Sequence, residues 1–208
     1  MTRIHLFRHG ESLWNLQGRM QGRKDSPLSE KGIQQARDAS KRLADIRLGA
    51  VYCSPSSRTR TTAEYLLGKQ KLEILEHEGL SEIDLGAWEG ELRTDIVIED
   101  TQTFSAFWHD PQNYQPRDGE TFLQTQTRVV AAIAEIIANH PGQDVLVVSH
   151  AVAIKSLMCH HTGRSLADVW KAPFADNLAY SQLEAVGEAV QVKIFCNQLW
   201  TGEDSQTA

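Results

Sequence analysis

One stretch, from Asp144 to Ser149, constrains the fold of this chain more than any other. Its four central residues, Val-Leu-Val-Val, are apolar at successive positions, so both faces of the strand that they form should be buried. A strand of this kind is typical of a parallel sheet that helices cover on both faces. A helix is predicted directly after it, over residues 151–161, and Gly163 ends that helix. The stretch therefore predicts an α/β protein.

Strand and helix patterns alternate along most of the chain. Apolar, β-prone runs predict further strands at residues 4–7, 50–53 and 72–75. Helical patterns begin near Ser29, Arg58 and Thr121, and the first of these helical units is expected to end at Gly49. Glu120 is expected only to favour the start of its helix. The alternation predicts a three-layer α/β/α sandwich with a mostly parallel sheet.

The end of the chain and one internal segment depart from this alternation. Two weaker strands, at residues 180–183 and 190–195, alternate in part and predict an antiparallel hairpin at one edge of the sheet. Residues 91–118 mix charged and aromatic residues and predict an irregular helical cap inserted after the third strand. We expect a single domain over residues 1–200, followed by a polar tail at 201–208.

Composition limits the function classes. The formal net charge of −6 argues against a general nucleic-acid-binding surface. No apolar run approaches the length of a membrane span, and the first strand begins too early for a signal peptide. The three cysteines are widely spaced and show no metal-ligand pattern. We therefore expect a cytoplasmic protein with no metal, no cofactor, no membrane and no nucleic acid, and the sequence leaves its oligomeric state open.

Polar side chains follow three of the predicted strands. Arg8 and His9 end the first strand, where Gly10 permits a tight turn; Arg58 follows the second strand, and His150 follows the strand that ends at Ser149. Arg58 and His150 also lie at helix starts, which favour bound anions. The carboxyl ends of parallel strands share one edge of a sheet, so this arrangement predicts a site for a dianion. Taken singly, each residue could instead be a solvated charge or a core histidine.

The motifs around these residues resemble those of the histidine phosphatase superfamily, also called the phosphoglycerate mutase-like group, and especially its bacterial broad-specificity phosphatases. The resemblance covers nearly all of the chain and implies the phosphoglycerate mutase-like fold. The residues that carry it are Arg8-His9-Gly10-Glu11-Ser12, Trp14-Asn15, Asp25 to Gly32, Ser54 to Arg58, Thr62-Ala63, Glu82-Ile83, Gly86 to Gly90, Gly119-Glu120 and Val148-Ser149-His150.

The resemblance implies a role for each site residue. His9 would be the nucleophile that forms a phosphohistidine, while Arg8, Arg58 and His150 would clamp the phosphoryl oxygens. Fixed cations are well suited to stabilise the charge that develops during phosphoryl transfer.

Three further positions match the family pattern. Asn15 and Gln21 would contact the phosphate, although either amide could serve only as a hydrogen-bonding group of its loop. Glu82 would act as the general acid for the leaving alkoxide and then as the base for water. A lone glutamate in a loop would otherwise be a surface charge.

The resulting prediction is a broad-specificity phosphatase of small-molecule phosphomonoesters. A 2,3-bisphosphoglycerate-dependent phosphoglycerate mutase and a non-catalytic phosphate-binding module are the alternatives. The segment 84–89 lacks the basic residues that would hold a second anionic group, which argues against a mutase. Aromatic residues of the insertion could instead cover the site with apolar surface; these are Phe104, Phe107, Trp108 and Tyr114.

Overall fold

Seven strands form one sheet at the centre of the protein, in a computed structural model that describes residues 1–187 and 189–202. Their order across the sheet is β3-β2-β4-β1-β5-β6-β7. The strands are β1 (Thr2–Arg8), β2 (Leu48–Cys53), β3 (Ile74–Glu76), β4 (Asp144–Ser149), β5 (Tyr180–Val186), β6 (Ala189–Phe195) and β7 (Gln198–Leu199).

Strand β4 lies in the middle of the parallel half of the sheet, between β2 and β1. Its residues from Val145 to Val148 are completely buried, as the uninterrupted apolar pattern predicts. The register pairs Ser149 of β4 with Arg8 of β1. Because the strands are parallel and in this register, the residues that follow them, His150 and His9, emerge side by side at one edge of the sheet.

Helices cover both faces of the sheet. In chain order, the α-helices of the described residues are α1 (Leu13–Gln17), α2 (Glu30–Ala39), α3 (Ser57–Leu67), α4 (Arg93–Glu99), α5 (Thr101–His109), α6 (Phe122–Asn139) and α7 (Ala151–Thr162). Val145 and Val147 of β4 pack in one hydrophobic cluster with α6 and α7. Leu146 and Val148, which point to the other face, pack with α3. The predicted three-layer α/β/α sandwich is therefore confirmed.

Side-chain caps account for where several helices begin. Ser29 accepts a hydrogen bond from the Gly32 amide at 3.0 Å and starts α2, as predicted. Thr121 and Gln124 form a reciprocal capping box at the start of α6. Helix α7 ends at Gly163, which has a φ of 72°, a left-handed conformation that favours glycine.

The antiparallel edge of the sheet is confirmed, since β5 pairs with β1 and β6 pairs with β5. Three details differ from the sequence prediction. Gly49 does not end the α2 unit; it lies within β2, where the register with β4 shifts between Leu48 and Ala50. Strand β3 is displaced to Ile74–Glu76, where it pairs with the end of β2. The short strand β7 has no apolar pattern and was not predicted.

The segment 91–118, for which an irregular helical insertion is predicted, contains α4 and α5. Most of the predicted polar tail, residues 203–208, lies outside the described residues. Across residues 1–187 and 189–202, no helix combines the length and apolar character needed to cross a membrane.

The buried position of β4 generates a stability prediction. Leu146→Ala removes a completely buried side chain, so we expect the free energy of unfolding to fall by about 2–5 kcal/mol. Leu123→Ala, at a residue that is 61% exposed on α6, is the control and should change it by less than about 0.5 kcal/mol. Urea denaturation measures both. Equal losses in the two variants would contradict the position of β4 in the core.

Candidate active site

His9 lies directly after β1 and is buried, with 3% of its surface exposed. Its backbone is fixed on two sides: the His9 amide donates to the Ser149 carbonyl at 3.0 Å, and Asn177 donates to the His9 carbonyl at 3.2 Å. The imidazole Nδ1 lies 2.7 Å from the Gly10 carbonyl oxygen. Because a carbonyl oxygen can only accept, Nδ1 carries the proton, and the lone pair of the ring is on Nε2.

Gly10 serves the site through close packing rather than through an unusual backbone conformation. A Cβ at Gly10 would lie 2.6 Å from the carbonyl oxygen of Gly32, in the first turn of α2. A Cβ at Gly32 would in turn lie 2.1 Å from the Glu11 carbonyl oxygen. The two glycines therefore allow α2 to pack directly against the loop that follows β1. The sequence predicts a glycine at position 10 for the sake of a tight turn, whereas the structure requires it for the space that α2 occupies.

Arg58, in the first turn of α3, is the largest completely buried side chain among the described residues. Its Nη1 donates to the Lys24 carbonyl at 2.8 Å and to Asp25 Oδ1 at 2.9 Å. Its Nη2 donates to the Gly22 carbonyl at 2.8 Å and to Nδ1 of His150 at 3.1 Å. The buried Arg58 Nε has no hydrogen-bond partner within the described part of the chain.

His150 is held by hydrogen bonds at both ring nitrogens. Arg58 can only donate, so His150 Nδ1 accepts, and Nε2 of the neutral ring carries the proton that is donated to Ser54 Oγ at 2.8 Å. The His150 and His9 rings are in edge-to-face contact, with centroids 5.2 Å apart. The structure thus brings both histidines together, but the N–H of His150 is directed to Ser54.

Burial and positive charge determine the protonation of the two histidines. Burial, followed by the charges of Arg58 and Arg8, holds the pKa of His9 well below its usual value. Burial, followed by the charge of Arg58, lowers the pKa of His150 in the same way. Both rings are therefore neutral near pH 7, and His9 is available as a nucleophile.

Arg8 contributes a second guanidinium beside His9. Its Nη1 donates to the Ala175 carbonyl at 2.7 Å, while its buried Nε has no partner within residues 1–187 and 189–202. Burial lowers the pKa of both Arg8 and Arg58, because neither positive charge is fully compensated by the protein. A bound anion would supply that compensation.

Glu82 lies in an irregular segment, and its carboxylate reaches the N-terminus of α7. Oε1 accepts from the amides of Ile83 and Ala153, both at 3.0 Å, and Oε2 accepts from the Val152 amide at 3.1 Å. The helix N-terminus and three amides thus orient this side chain beside the cavity described below. Glu82 is therefore not the free surface charge that a lone loop glutamate would be.

Asn15 and Gln21 both reach the same cavity, and each is anchored by its amide oxygen. Asn15 Oδ1 accepts from the Ser12 amide at 3.1 Å, and Gln21 Oε1 accepts from the Ser12 hydroxyl at 3.0 Å. The two side-chain NH₂ groups have no protein partner among the described residues and are free to donate to a bound anion.

The cavity has a volume of about 240 Å³ and contains Arg8, His9, Arg58 and Glu82 in its lining. Its outer wall is largely apolar. Aromatic side chains in that wall come from two segments and are Phe107, Trp108, Trp170 and Phe174. Of the four aromatic residues expected to cover the site, only Phe107 and Trp108 do so. Phe104 and Tyr114 instead pack against Trp88, which precedes the inserted segment.

Sequence reasoning missed two basic residues of the cavity wall, Arg93 and Arg19. Residues 84–89 contain no lysine or arginine, but Arg93 of α4 and Arg19 also line the cavity. Arg19 donates to the Gly90 carbonyl at 2.6 Å. Arg93 is exposed, and its guanidinium lies over the Trp108 ring, 5.5 Å from the centroid. The segment 84–89 itself offers no cation for a second anionic group, but residues outside that segment do.

The predicted role of Glu120 is also corrected. It does more than favour the start of α6, because its carboxylate accepts two hydrogen bonds from Arg128, at 2.8 and 2.7 Å, and one from Arg23 at 2.9 Å. Its motif, Gly119-Glu120, is visible in the sequence, but the motif does not indicate its partners: Arg128 lies two turns into α6 and Arg23 lies in a distant loop.

Within the described residues, no group of three or more His, Cys, Asp or Glu side chains is arranged to hold a metal ion. Cys53, Cys159 and Cys196 are all buried and form no disulfide.

Comparison with known proteins places this site in a family. The family model described as "Histidine phosphatase superfamily (branch 1)" matches residues 4–198. Phosphoserine phosphatase 1 of Hydrogenobacter thermophilus is 33% identical over 87% of this chain and 85% of its own length. A probable phosphoglycerate mutase, GpmB, of an Enterobacter species is 31% identical over 76% of this chain and 74% of its own length.

A solved structure gives the same result. The structure of Bacillus stearothermophilus YhfR superimposes with a TM-score of 0.92 and 37% identity, covering 98% of this chain and all of that one. Sequence, fold and site geometry agree, and the chain belongs to the histidine phosphatase superfamily as a phosphomonoesterase.

Proposed function

We propose that the protein hydrolyses small-molecule phosphomonoesters in two steps, through a phosphohistidine on Nε2 of His9. The observation that carries this proposal is the hydrogen bond from His9 Nδ1 to the Gly10 carbonyl, because it leaves the Nε2 lone pair as the nucleophile. The lowered pKa of His9 supports the same role, since a neutral imidazole is needed for attack on phosphorus.

The phosphoryl group would be held by donors that the protein already fixes. Within the described residues, Arg8 and Arg58 each have a buried Nε without a protein partner, and Asn15 and Gln21 of the cavity wall have NH₂ groups without one. All four residues line the same cavity as His9, so their donor groups would be available to a phosphoryl group bound there. Preorganised donors of this kind stabilise the charge on the transferred phosphoryl group without reorganising.

Glu82 would carry the proton in both steps. In the first step, the bond between phosphorus and His9 forms, the ester P–O bond breaks, and the proton of Glu82 passes to the leaving oxygen. In the second, water attacks phosphorus, the N–P bond breaks, and the water proton passes to Glu82. The orientation of the carboxylate by α7 amides supports this assignment.

For His150, the hydrogen bonds support a role different from direct contact with the phosphoryl oxygens. Its Nδ1 accepts from Arg58 and its Nε2–H is donated to Ser54. We infer that His150 holds the Arg58 guanidinium in place, so that Arg58 presents its free Nε to the substrate.

The substrate would be a small phosphomonoester whose leaving group is at least partly apolar. The aromatic wall of the cavity supports this, because apolar contact discriminates weakly, at roughly 1–3 kcal/mol per methylene, and so permits broad specificity. Phosphoserine phosphatase 1, the relative described above, is likewise named for a small phosphomonoester.

A phosphoglycerate mutase is the second candidate. Arg93, on the cavity rim above Trp108, could hold a carboxylate, and one relative carries the name of a probable phosphoglycerate mutase. Hydrolysis is favoured because the other basic residues of that wall outside the phosphate site, Arg19 and Lys155, already donate to backbone carbonyls. Much of the remaining wall is aromatic and aliphatic.

We further propose that residues 1–200 form one domain and that 91–118 act as its cap. Phe107 of the inserted segment packs with Phe122 of α6 and Trp170 in one cluster, which supports a continuous body.

Three buried cysteines without a disulfide fit a reducing compartment, and we propose the cytoplasm.

His9 should carry the covalent phosphoryl group. After a pulse of labelled phosphoester and a denaturing quench, we expect acid-labile, base-stable label on Nε2 of His9, because Nδ1 is committed to Gly10. The label should be lost in His9→Ala and retained in the control His160→Ala, at an exposed histidine of α7. Label that persists in His9→Ala would reject the assignment.

Hydrolysis and mutase activity can be compared directly. With 3-phosphoglycerate and catalytic 2,3-bisphosphoglycerate, we expect release of inorganic phosphate and little 2-phosphoglycerate. Aryl phosphates should give a higher kcat/KM than 3-phosphoglycerate, because the aryl leaving group would contact the aromatic wall. Formation of 2-phosphoglycerate much faster than phosphate release would identify a mutase and overturn the proposed hydrolysis.

A further inference from the structure

Arg128 of α6 binds the backbone of the segment that carries Glu82. Its Nη1 donates to the carbonyl oxygens of Ser81, at 2.6 Å, and Gly79, at 3.2 Å. Its Nη2 donates to the carbonyl oxygen of Glu82 itself at 2.7 Å. Three of the four carbonyl oxygens from Gly79 to Glu82 are thus fixed by one guanidinium, whose side chain is only 18% exposed.

Glu120 completes this arrangement. Its two carboxylate oxygens accept from Nε and Nη2 of Arg128 at 2.8 and 2.7 Å, a bidentate ion pair. Glu120 also accepts from the Asp84 amide at 3.1 Å, on the other side of Glu82. The pair therefore holds the chain both before and after Glu82.

The segment needs such support because it has no regular secondary structure of its own. Residues 81–85 follow a single 3₁₀ turn, Glu78–Leu80, and belong to no helix or strand. The Glu82 carboxylate is fixed by α7 at one end, whereas its backbone is fixed by Arg128 at the other. Arg128 and Glu120 are not among the residues that line the cavity, so they have no direct access to substrate there.

We propose that Arg128 and Glu120 are a positioning pair for the proton transfer by Glu82. This inference rests on the proposed acid–base role of Glu82. Misplacement of a catalytic group by about 1 Å can lower a rate on the order of a hundredfold, even when the substituted residue is far from the reaction. Loss of the pair shifts Glu82 while leaving His9, Arg8 and Arg58 in place.

Leaving-group dependence distinguishes positioning from a general structural role. A leaving group such as p-nitrophenolate departs without protonation, whereas an alkoxide requires the proton of Glu82. A variant that only reduces the amount of folded enzyme lowers kcat/KM for both esters by one factor. A variant that displaces Glu82 lowers kcat/KM mainly for the alkyl ester.

The experiment compares kcat/KM for p-nitrophenyl phosphate and an alkyl phosphate in Arg128→Lys, Glu120→Gln and Glu82→Gln. Lysine keeps the charge but cannot donate in the planar fork that these acceptors require. We expect Arg128→Lys and Glu120→Gln to lose about tenfold or more on the alkyl ester and at most about threefold on the aryl ester. Arg60→Lys, in the exposed Arg60–Glu76 pair, is the matched control and should keep its kcat/KM on both esters.

A double variant separates this inference from the proposed function. With Glu82 already replaced by Gln, Arg128→Lys should have no additional leaving-group effect, because both changes act on one proton transfer. Equal losses on both esters in Arg128→Lys, or fully additive losses in the double variant, would overturn the positioning role while leaving Glu82 as the acid. A Glu82→Gln variant without leaving-group dependence would overturn the acid role itself, and the inference with it.

Discussion

Arg58 carries a full positive charge at a position where only 1% of its surface is exposed, and a charge removed from water has to be paired. Its partners come from two separate parts of the chain, the loop that contains Gly22, Lys24 and Asp25 and the start of α7 at His150. Pairing one guanidinium therefore fixes the relative positions of α3, that loop and α7. Removal of the side chain would leave several buried acceptors without a donor at the same time.

Burial and the same positive charge would keep the proposed nucleophile of the site unprotonated. Arg58 and Arg8 repel a second positive charge, and together with burial they keep His9 and His150 neutral. Cations that would bind a phosphoryl dianion thus also keep the imidazole nucleophile unprotonated. Once a dianion is bound, its charge compensates the two guanidinium groups, so binding and the burial of the arginines are energetically linked.

The strand ends could be predicted from sequence because period and burial identify a strand, and a parallel register then brings together the residues that follow. This reasoning located His9, Arg58 and His150 at one edge. It could not find the hydrogen bond from Arg128 to the Glu82 carbonyl oxygen. Helical periodicity indicates which face of α6 is buried, but not which backbone carbonyls that face meets. For Trp170 the sequence predicts only packing in the core or the cap, whereas the structure also places it in the cavity wall.

The central claim is that the phosphoryl group is transferred twice, first to Nε2 of His9 and then to water. Stereochemistry at phosphorus tests this most directly, with a phosphomonoester made chiral by oxygen isotopes and an alcohol as the final acceptor. Each in-line displacement inverts phosphorus, so two successive displacements predict overall retention of configuration. Overall inversion would mean that the acceptor attacks the ester directly, and would contradict a phosphohistidine on the reaction path.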